Sequence, residues 1–117
     1  MTVSVLVEGQ LKDGERGGFT EICREAFKVT RDFDGCEHID LVYNTEDGNN
    51  WEFNEFWESK EHDDKYLKFR TEDGTLEAIA GLCENAHSLK IFVLIHTYYY
   101  KLFRSMYLDA VSRFVST

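Results

Sequence analysis

Proline is absent from this 117-residue chain, and no internal repeat or low-complexity tract is visible. Nothing in it therefore reads as a proline-rich linker or a repeat array. Cysteine is scarce. Cys23, Cys36 and Cys83 are odd in number and fall in no C-x-x-C or Cys/His ligand spacing. Cys23 and Cys83 occupy apolar positions of expected helices, where a free thiol behaves as a small hydrophobe. A reduced, cytoplasmic setting is the expectation. Basic residues are few, 13 against 22 acidic ones, for a formal net charge of −9. That balance speaks against a nucleic-acid backbone or an anionic membrane surface as partner. Long hydrophobic runs are also missing: the longest, Ile91–Ile95 with Leu89 just before it, is strand-sized. The N-terminal MTVSVLVEG lacks the basic n-region of a signal peptide.

Catalytic signatures are missing in the same way. There is no H-E-x-x-H or H-x-x-x-H pair, no Ser/His/Asp motif and no phosphate-binding glycine loop; Gly14, Gly17 and Gly18 fit none of these patterns. Glu61-His62-Asp63-Asp64 looks like a metal cluster, but consecutive helical residues splay by about 100° and cannot all reach one ion. No metal and no cofactor are expected.

What the chain does have is aromatic side chains, nine Phe, six Tyr and two Trp. One domain of this length can bury roughly two-thirds of its unfolded surface, and such residues supply a core or line a flat apolar site. Thr2–Glu8 reads as a strand. After Gly17-Gly18, the residues Phe19, Ile22, Cys23, Ala26, Phe27, Thr30 and Phe33 mark a helical stripe that Asp34-Gly35 ends. Cys36–Asn44 is a second strand with Glu37, Ile39, Leu41 and Tyr43 on one face. The loop from Thr45 to Asn50 contains Asp47-Gly48 and turns into a third strand, Trp51–Glu58. Ser59 is a candidate N-cap for a helix from Lys60 to Arg70. A kink at 71–74 precedes another helix, with Leu76, Ile79, Ala80 and Cys83 in register, and Ser88–His96 is a last strand.

The order β-α-β-β-α(α)-β specifies an α+β, ferredoxin-like split β-α-β sheet with helices on one face. Leu89, Ile91, Val93 and Ile95 alternate with Phe92 and Leu94, so both faces of the last strand call for burial. Helices cover one face; a second copy of the sheet is the simplest cover for the other, and a homodimer is expected. Residues 1–96 form this unit. Residues 97–117 carry Leu102, Phe103, Met106, Tyr107, Ala110, Val111 and Phe114 at helical spacing and read as a C-terminal helical extension.

The segment from Asn54 to Gly74 is the most informative. Phe53, Glu55 and Trp57 share one face of the third strand. His62, Tyr66, Phe69 and Arg70 stand at i, i+4, i+7 and i+8 of the helix that follows. Together they form either the wall of an aromatic-lined pocket or a packed corner. His62 reads as a general base near neutral pH, or as a surface histidine beside Glu61, Asp63 and Asp64. Tyr66 reads as a hydrogen-bonding pocket residue or a buried ring with a wet hydroxyl. Arg70 reads as a stabiliser of a phenolate or superoxide, or as half of an ion pair. Glu55, inside the strand, needs a partner or a catalytic role.

The E-x-W-E-S ending (Glu55 to Ser59), the Tyr66-Leu67-x-Phe69-Arg70 and Glu72-x-Gly74 of the helix, and Phe33-Asp34-Gly35-Cys36 upstream form a familiar set. Over residues 1–96 the chain resembles the antibiotic biosynthesis monooxygenase family of dimeric α+β-barrel proteins. The resemblance implies a fold of that kind and a cofactor-independent monooxygenase acting on an aromatic, quinol or polyketide-like small molecule. In that chemistry the substrate, once deprotonated, passes an electron to dioxygen and the radicals recombine. Within that reading the candidate catalytic residues are His62, Tyr66 and Arg70, and the candidate substrate-binding residues are Phe53, Trp57 and Phe69; of these the resemblance itself places Trp57 and Tyr66 at pocket positions. Departures are specific. Phe53 stands where polyketide-oxygenating members carry an Asn four residues before the Trp, and Asn54 should face the other way. Val7 and Glu8 replace an Asn of haem-degrading members, and the haem-ligating His is missing near Leu76. A non-catalytic dimeric module binding a ligand or protein, or a cofactor-independent isomerase or lyase, are the alternatives on the same fold.

Overall fold

A computed structural model of the chain describes residues 2–84 and 88–93. The elements run β1 (Val3–Gln10), α1 (Arg16–Asp32), β2 (Cys36–Tyr43), β3 (Asn50–Trp57), α2 (Lys60–Glu72), α3 (Thr75–Gly81) and β4 (Ser88–Val93). The four strands form one antiparallel sheet in the order β2-β3-β1-β4. This is the expected α+β, ferredoxin-like arrangement. The extension at 97–117 and the expected strand end at 94–96 lie outside the described residues.

Alternation along β1 decides the core face. Val3, Val5 and Val7 point at the helices and lie opposite Trp57, Glu55 and Phe53 of β3. The core continues through Phe19, Cys23 and Phe27 of α1, Ile39, Trp51, Tyr66 of α2 and Ile79 of α3. Its rings pack in series: Phe19 and Trp51 have centroids 4.9 Å apart, Trp51 and Phe53 4.6 Å, Trp57 and Tyr66 4.9 Å. These separations give aromatic pairs a modest gain beyond area burial.

Gly9 faces Trp51 across the β1–β3 ladder, and a Cβ there would stand 2.5 Å from the indole. The glycine makes room for a fully buried Trp. Gly9→Ala is therefore expected to cost about 1–3 kcal/mol through overpacking, read as a lower denaturant midpoint with unchanged slope.

The structure departs from the sequence expectation in several places. Gly17 and Gly18 lie inside the first turn of α1 instead of preceding it. Packing of the fully buried Phe19 just behind them offsets their poor helix propensity. Ile22 is 37% exposed, so the buried stripe of α1 is Phe19, Cys23, Phe27 and Thr30. Phe33 leaves the helix with extended backbone (φ −73°, ψ 140°). In β2 a bulge between Cys36 and His38 shifts the pairing with β3. Cys36 then packs against the core, and Glu37 turns to accept a hydrogen bond from the Thr2 hydroxyl at 3.1 Å. A one-residue slip of this kind exchanges faces, which periodicity alone does not foresee. In β4, Phe92 is 50% and Val93 57% exposed, so this end of the strand is not buried on both faces as its apolar sequence leads one to expect. Among the described residues no helix is long and apolar enough to cross a membrane, and Cys23, Cys36 and Cys83 are free thiols.

Candidate functional site

Two concavities compete for attention. The larger, about 860 Å³, is an open groove between α1 and β2 beneath Arg16, Arg24 and Arg31. Its guanidinium groups are already engaged. Arg16 lies 4.1 Å over the Tyr43 ring, Arg24 pairs with Glu21 at 3.6 Å, and Arg31 donates to the Ile39 carbonyl at 3.0 Å. The smaller lies inside the fold, between the sheet and the three helices. Its volume is about 140 Å³, and an apolar wall that includes Val7, Phe27, Phe53, Leu76 and Ile79 surrounds Glu55, Tyr66 and Arg70. Buried ionisable groups in an apolar enclosure make this the candidate site.

β3 supplies Glu55. It stands between Phe53 and Trp57 on the core face and is 5% exposed. The Trp57 indole N–H donates to its Oε1 at 2.8 Å. Burial pushes the carboxyl up from its ordinary 4.5 to about 8; the indole hydrogen bond opposes this, and the nearby Asp63 adds to it. At neutral pH Glu55 holds a proton.

α2 supplies Tyr66 and Arg70. Ser59 caps it as expected: its backbone is extended and its Oγ accepts the His62 backbone N–H at 3.2 Å. Asp63, Tyr66 and Arg70 face inward at i, i+3 and i+7. The Tyr66 hydroxyl accepts from Arg70 Nε at 2.8 Å and lies 2.6 Å from Thr30 Oγ1, which donates onward to the Ala26 carbonyl at 3.1 Å. Arg70 also donates to the Ala26 carbonyl at 2.6 Å and to Asp73 at 2.9 Å. Burial raises the Tyr66 hydroxyl above its ordinary value of 10, against the lowering effect of the Thr30 and Arg70 hydrogen bonds. This network ties α2 to α1 across the roof of the cavity. Asp63 is fully buried, and neither of its carboxylate oxygens has a hydrogen-bond partner among the described residues. Burial, with Asp64 adding to it, raises its carboxyl from 3.8 to about 6.

Of the residues singled out in the sequence, Phe53, Tyr66 and Arg70 come together on the cavity wall. Trp57 stands one layer behind it, fully buried, and reaches the site through Glu55. Phe69 stacks on Phe33 with centroids 5.4 Å apart, outside the cavity wall. His62 lies elsewhere. Its ring rests on Gly35, close enough that no Cβ would fit there, with Nδ1 2.7 Å from Ser59 Oγ and Nε2 3.4 Å from Glu58. Gly35 has φ +87°, so the F-D-G-C turn needs glycine for its backbone and for this close approach. Asn54 lies beside Leu6 and Asp40 on the opposite face from Phe53.

Sequence reasoning missed Thr30 and Asp63 as members of the buried polar set. For Thr30 the signal was a hydroxyl at a core position of α1. Asp63 had none, since an acid in the first turn of a helix is ordinarily solvated.

A model of the family described as antibiotic biosynthesis monooxygenase matches residues 2–80. No curated protein matches the chain in sequence. Among solved structures, a conserved protein from Methanosarcina mazei Go1 is 14% identical with a TM-score of 0.74, covering 79% of this chain and 91% of its own. A structure described as an antibiotic biosynthesis monooxygenase is 16% identical with a TM-score of 0.72, covering 80% of this chain and 99% of its own. A variant of SnoaB, a cofactor-independent oxygenase from Streptomyces nogalater, is 12% identical with a TM-score of 0.71, covering 83% and 96%. Identities this low speak for the fold alone. The family match takes in β1 through most of α3, including every residue of the cavity wall, and by it this chain belongs to the antibiotic biosynthesis monooxygenase family.

Proposed function

We propose that the chain is a cofactor-independent monooxygenase acting on a single-ring phenol or quinol bound in the 140 Å³ cavity. The observation that carries this reading is Glu55, a buried carboxyl on the cavity wall whose pKa of about 8 stands well above an ordinary carboxylate. A phenol loses its proton near pH 10; the acceptor is the ionised form of Glu55, which grows as pH rises through about 8, and its raised pKa narrows the gap for the transfer. The phenolate then gives an electron to dioxygen, and the two radicals join at a ring carbon that bears hydrogen. Loss of water from the resulting hydroperoxide leaves a carbonyl; one O2 is consumed, one water released, and no external reductant is needed. The Glu55 proton is available for the departing oxygen. Phe53 shapes the wall, Trp57 holds Glu55 in place from behind it, and Arg70 with Tyr66 supplies positive charge and a hydroxyl near a developing oxyanion.

Size supports a single ring. An apolar cavity of roughly 150 Å³ accommodates benzene, whereas drug-sized ligands occupy about 300 Å³ or more. The half-exposed Phe92 on the helix-free face of the sheet supports a sheet-to-sheet homodimer.

Oxygen uptake with a panel of single-ring phenols and quinols, in chelator and without flavin, tests the proposal. Uptake is expected with the wild type and should fall by roughly 10²-fold or more in Glu55→Gln. Equal uptake by the variant removes Glu55 from the chemistry. Ligand binding that quenches Trp fluorescence without any uptake moves the protein to the non-catalytic binding class.

A further inference from the structure

We propose that the corner where the α1–β2 turn meets the start of α2 is a divalent-cation site formed by His62, Asp34 and Glu58. One ligand atom from each of these residues lies within 4.8 Å of the others. His62 Nε2 is 3.7 Å from Asp34 Oδ2 and 3.4 Å from Glu58 Oε2. Ligand atoms bound tetrahedrally to an ion at about 2.1 Å stand roughly 3.4 Å apart, which the two edges of the triangle from Nε2 already approach, with the Asp34–Glu58 edge within 4.8 Å. Glu58 and Asp34 are 59% and 85% exposed, which gives both carboxylates room to complete it and leaves further positions open to water.

The imidazole is held in advance of any ion. Its ring lies on Gly35, and Nδ1 is 2.7 Å from Ser59 Oγ. That hydroxyl oxygen already accepts the His62 backbone N–H and has a second lone pair for Nδ1–H. In this tautomer the Nε2 lone pair points at two carboxylates. A cation bound there takes the place of the Nε2 proton that the other tautomer directs at Glu58. An outer-shell hydrogen bond to the far nitrogen orients most ligating histidines, usually from a carboxylate, carbonyl or water, and here the Ser59 hydroxyl stands in that place. Lys60, next to Ser59 in the chain, pairs with Asp64 at 2.9 Å. One imidazole and two carboxylates suit Zn2+, Mn2+, Co2+ or Ni2+, and the Irving–Williams order places Zn2+ above Mn2+ and Co2+.

The consequence is mechanical. Asp34 belongs to the turn after α1, whereas Glu58 and His62 flank the N-cap of α2, so an ion would pin the helix that carries Tyr66 and Arg70. This site is separate from the cavity, and its test does not depend on any oxygenase activity.

Calorimetric titration of the chelator-treated, full-length protein with ZnCl2 gives the answer. One ion per chain is expected, with a rise in Tm that tracks saturation. His62→Gln and Asp34→Asn should each weaken binding by about tenfold or more and abolish the Tm rise. Asp34 is exposed and lies outside the helices, so its variant keeps the test valid if His62→Gln folds poorly. Absence of binding by the wild type overturns the proposal, as does binding that both folded variants retain, since that places the ion elsewhere.

Discussion

Between about pH 5 and pH 9 the wild-type protein is expected to lose stability that Glu55→Gln keeps. The cause is the buried carboxyl of Glu55, 5% exposed and raised from 4.5 to about 8. A group whose folded pKa lies above its unfolded value binds its proton more tightly in the folded state. Its stabilising contribution is complete below pH 4.5 and is lost as pH rises through about 8. At about 1.4 kcal/mol per pKa unit, the loss is on the order of 3–5 kcal/mol, a large share of the stability of a small domain. Gln has no proton to lose, and its carbonyl can still accept the Trp57 indole N–H. Thermal unfolding at several pH values should show Tm of the wild type falling by roughly 15 °C across this range, with a nearly flat curve for the variant. Parallel curves would show that Glu55 is solvated or paired in solution. Asp63, raised from 3.8 to about 6, acts in the same sense at lower pH, so Asp63→Asn should remove slope between those values and make the Glu55 step smaller without abolishing it, because burial is the larger cause of that step.

Arg70→Ala is expected to be the most destabilising single change on α2, by about 3–5 kcal/mol. Arg70 is 5% exposed and ties α2 to α1 and to its own C-cap: Nε to Tyr66 at 2.8 Å, one terminal nitrogen to the Ala26 carbonyl at 2.6 Å, the other to Asp73 at 2.9 Å. Truncation leaves the Tyr66 hydroxyl without its donor and opens space beside the cavity. Arg70→Lys should recover only part of the loss, because an ammonium cannot hold the planar fork that reaches Tyr66, Ala26 and Asp73 together. Thr30→Val, which removes the hydroxyl 2.6 Å from Tyr66, should cost about 1–3 kcal/mol. The double variant should lose less than the sum, because both changes break one network. Chemical denaturation of the four proteins measures this. Additive losses would mean that Arg70 and Thr30 act separately.

These two residues mark where reading the sequence succeeded and where it stopped. Arg70 and Tyr66 were visible at a spacing of four on one helix, next to a strand with Phe53 and Trp57, and the cavity brings three of these four to its wall. His62 shared their spacing but not their surroundings. A stripe on a helix is wide, and which edge of it is buried depends on where the neighbouring turn lies. Here the glycine turn at Asp34-Gly35 takes the imidazole, and Asp63 goes inward in its place.

Local physics was enough for much else. Alternating valines in β1, the Ser59 cap, the loop at Asp47-Gly48 and the F-D-G-C turn each depend on residues within a few positions of one another. Such features follow from backbone sterics and hydrogen bonding inside one segment. The β2 bulge, the indole across Gly9, the state of Glu55 and the isolation of Asp63 come from elsewhere. Each results from two segments far apart in the chain meeting at a distance of a few ångströms. Desolvation and packing act between such segments only after the fold has closed, so these were decided by the tertiary structure alone.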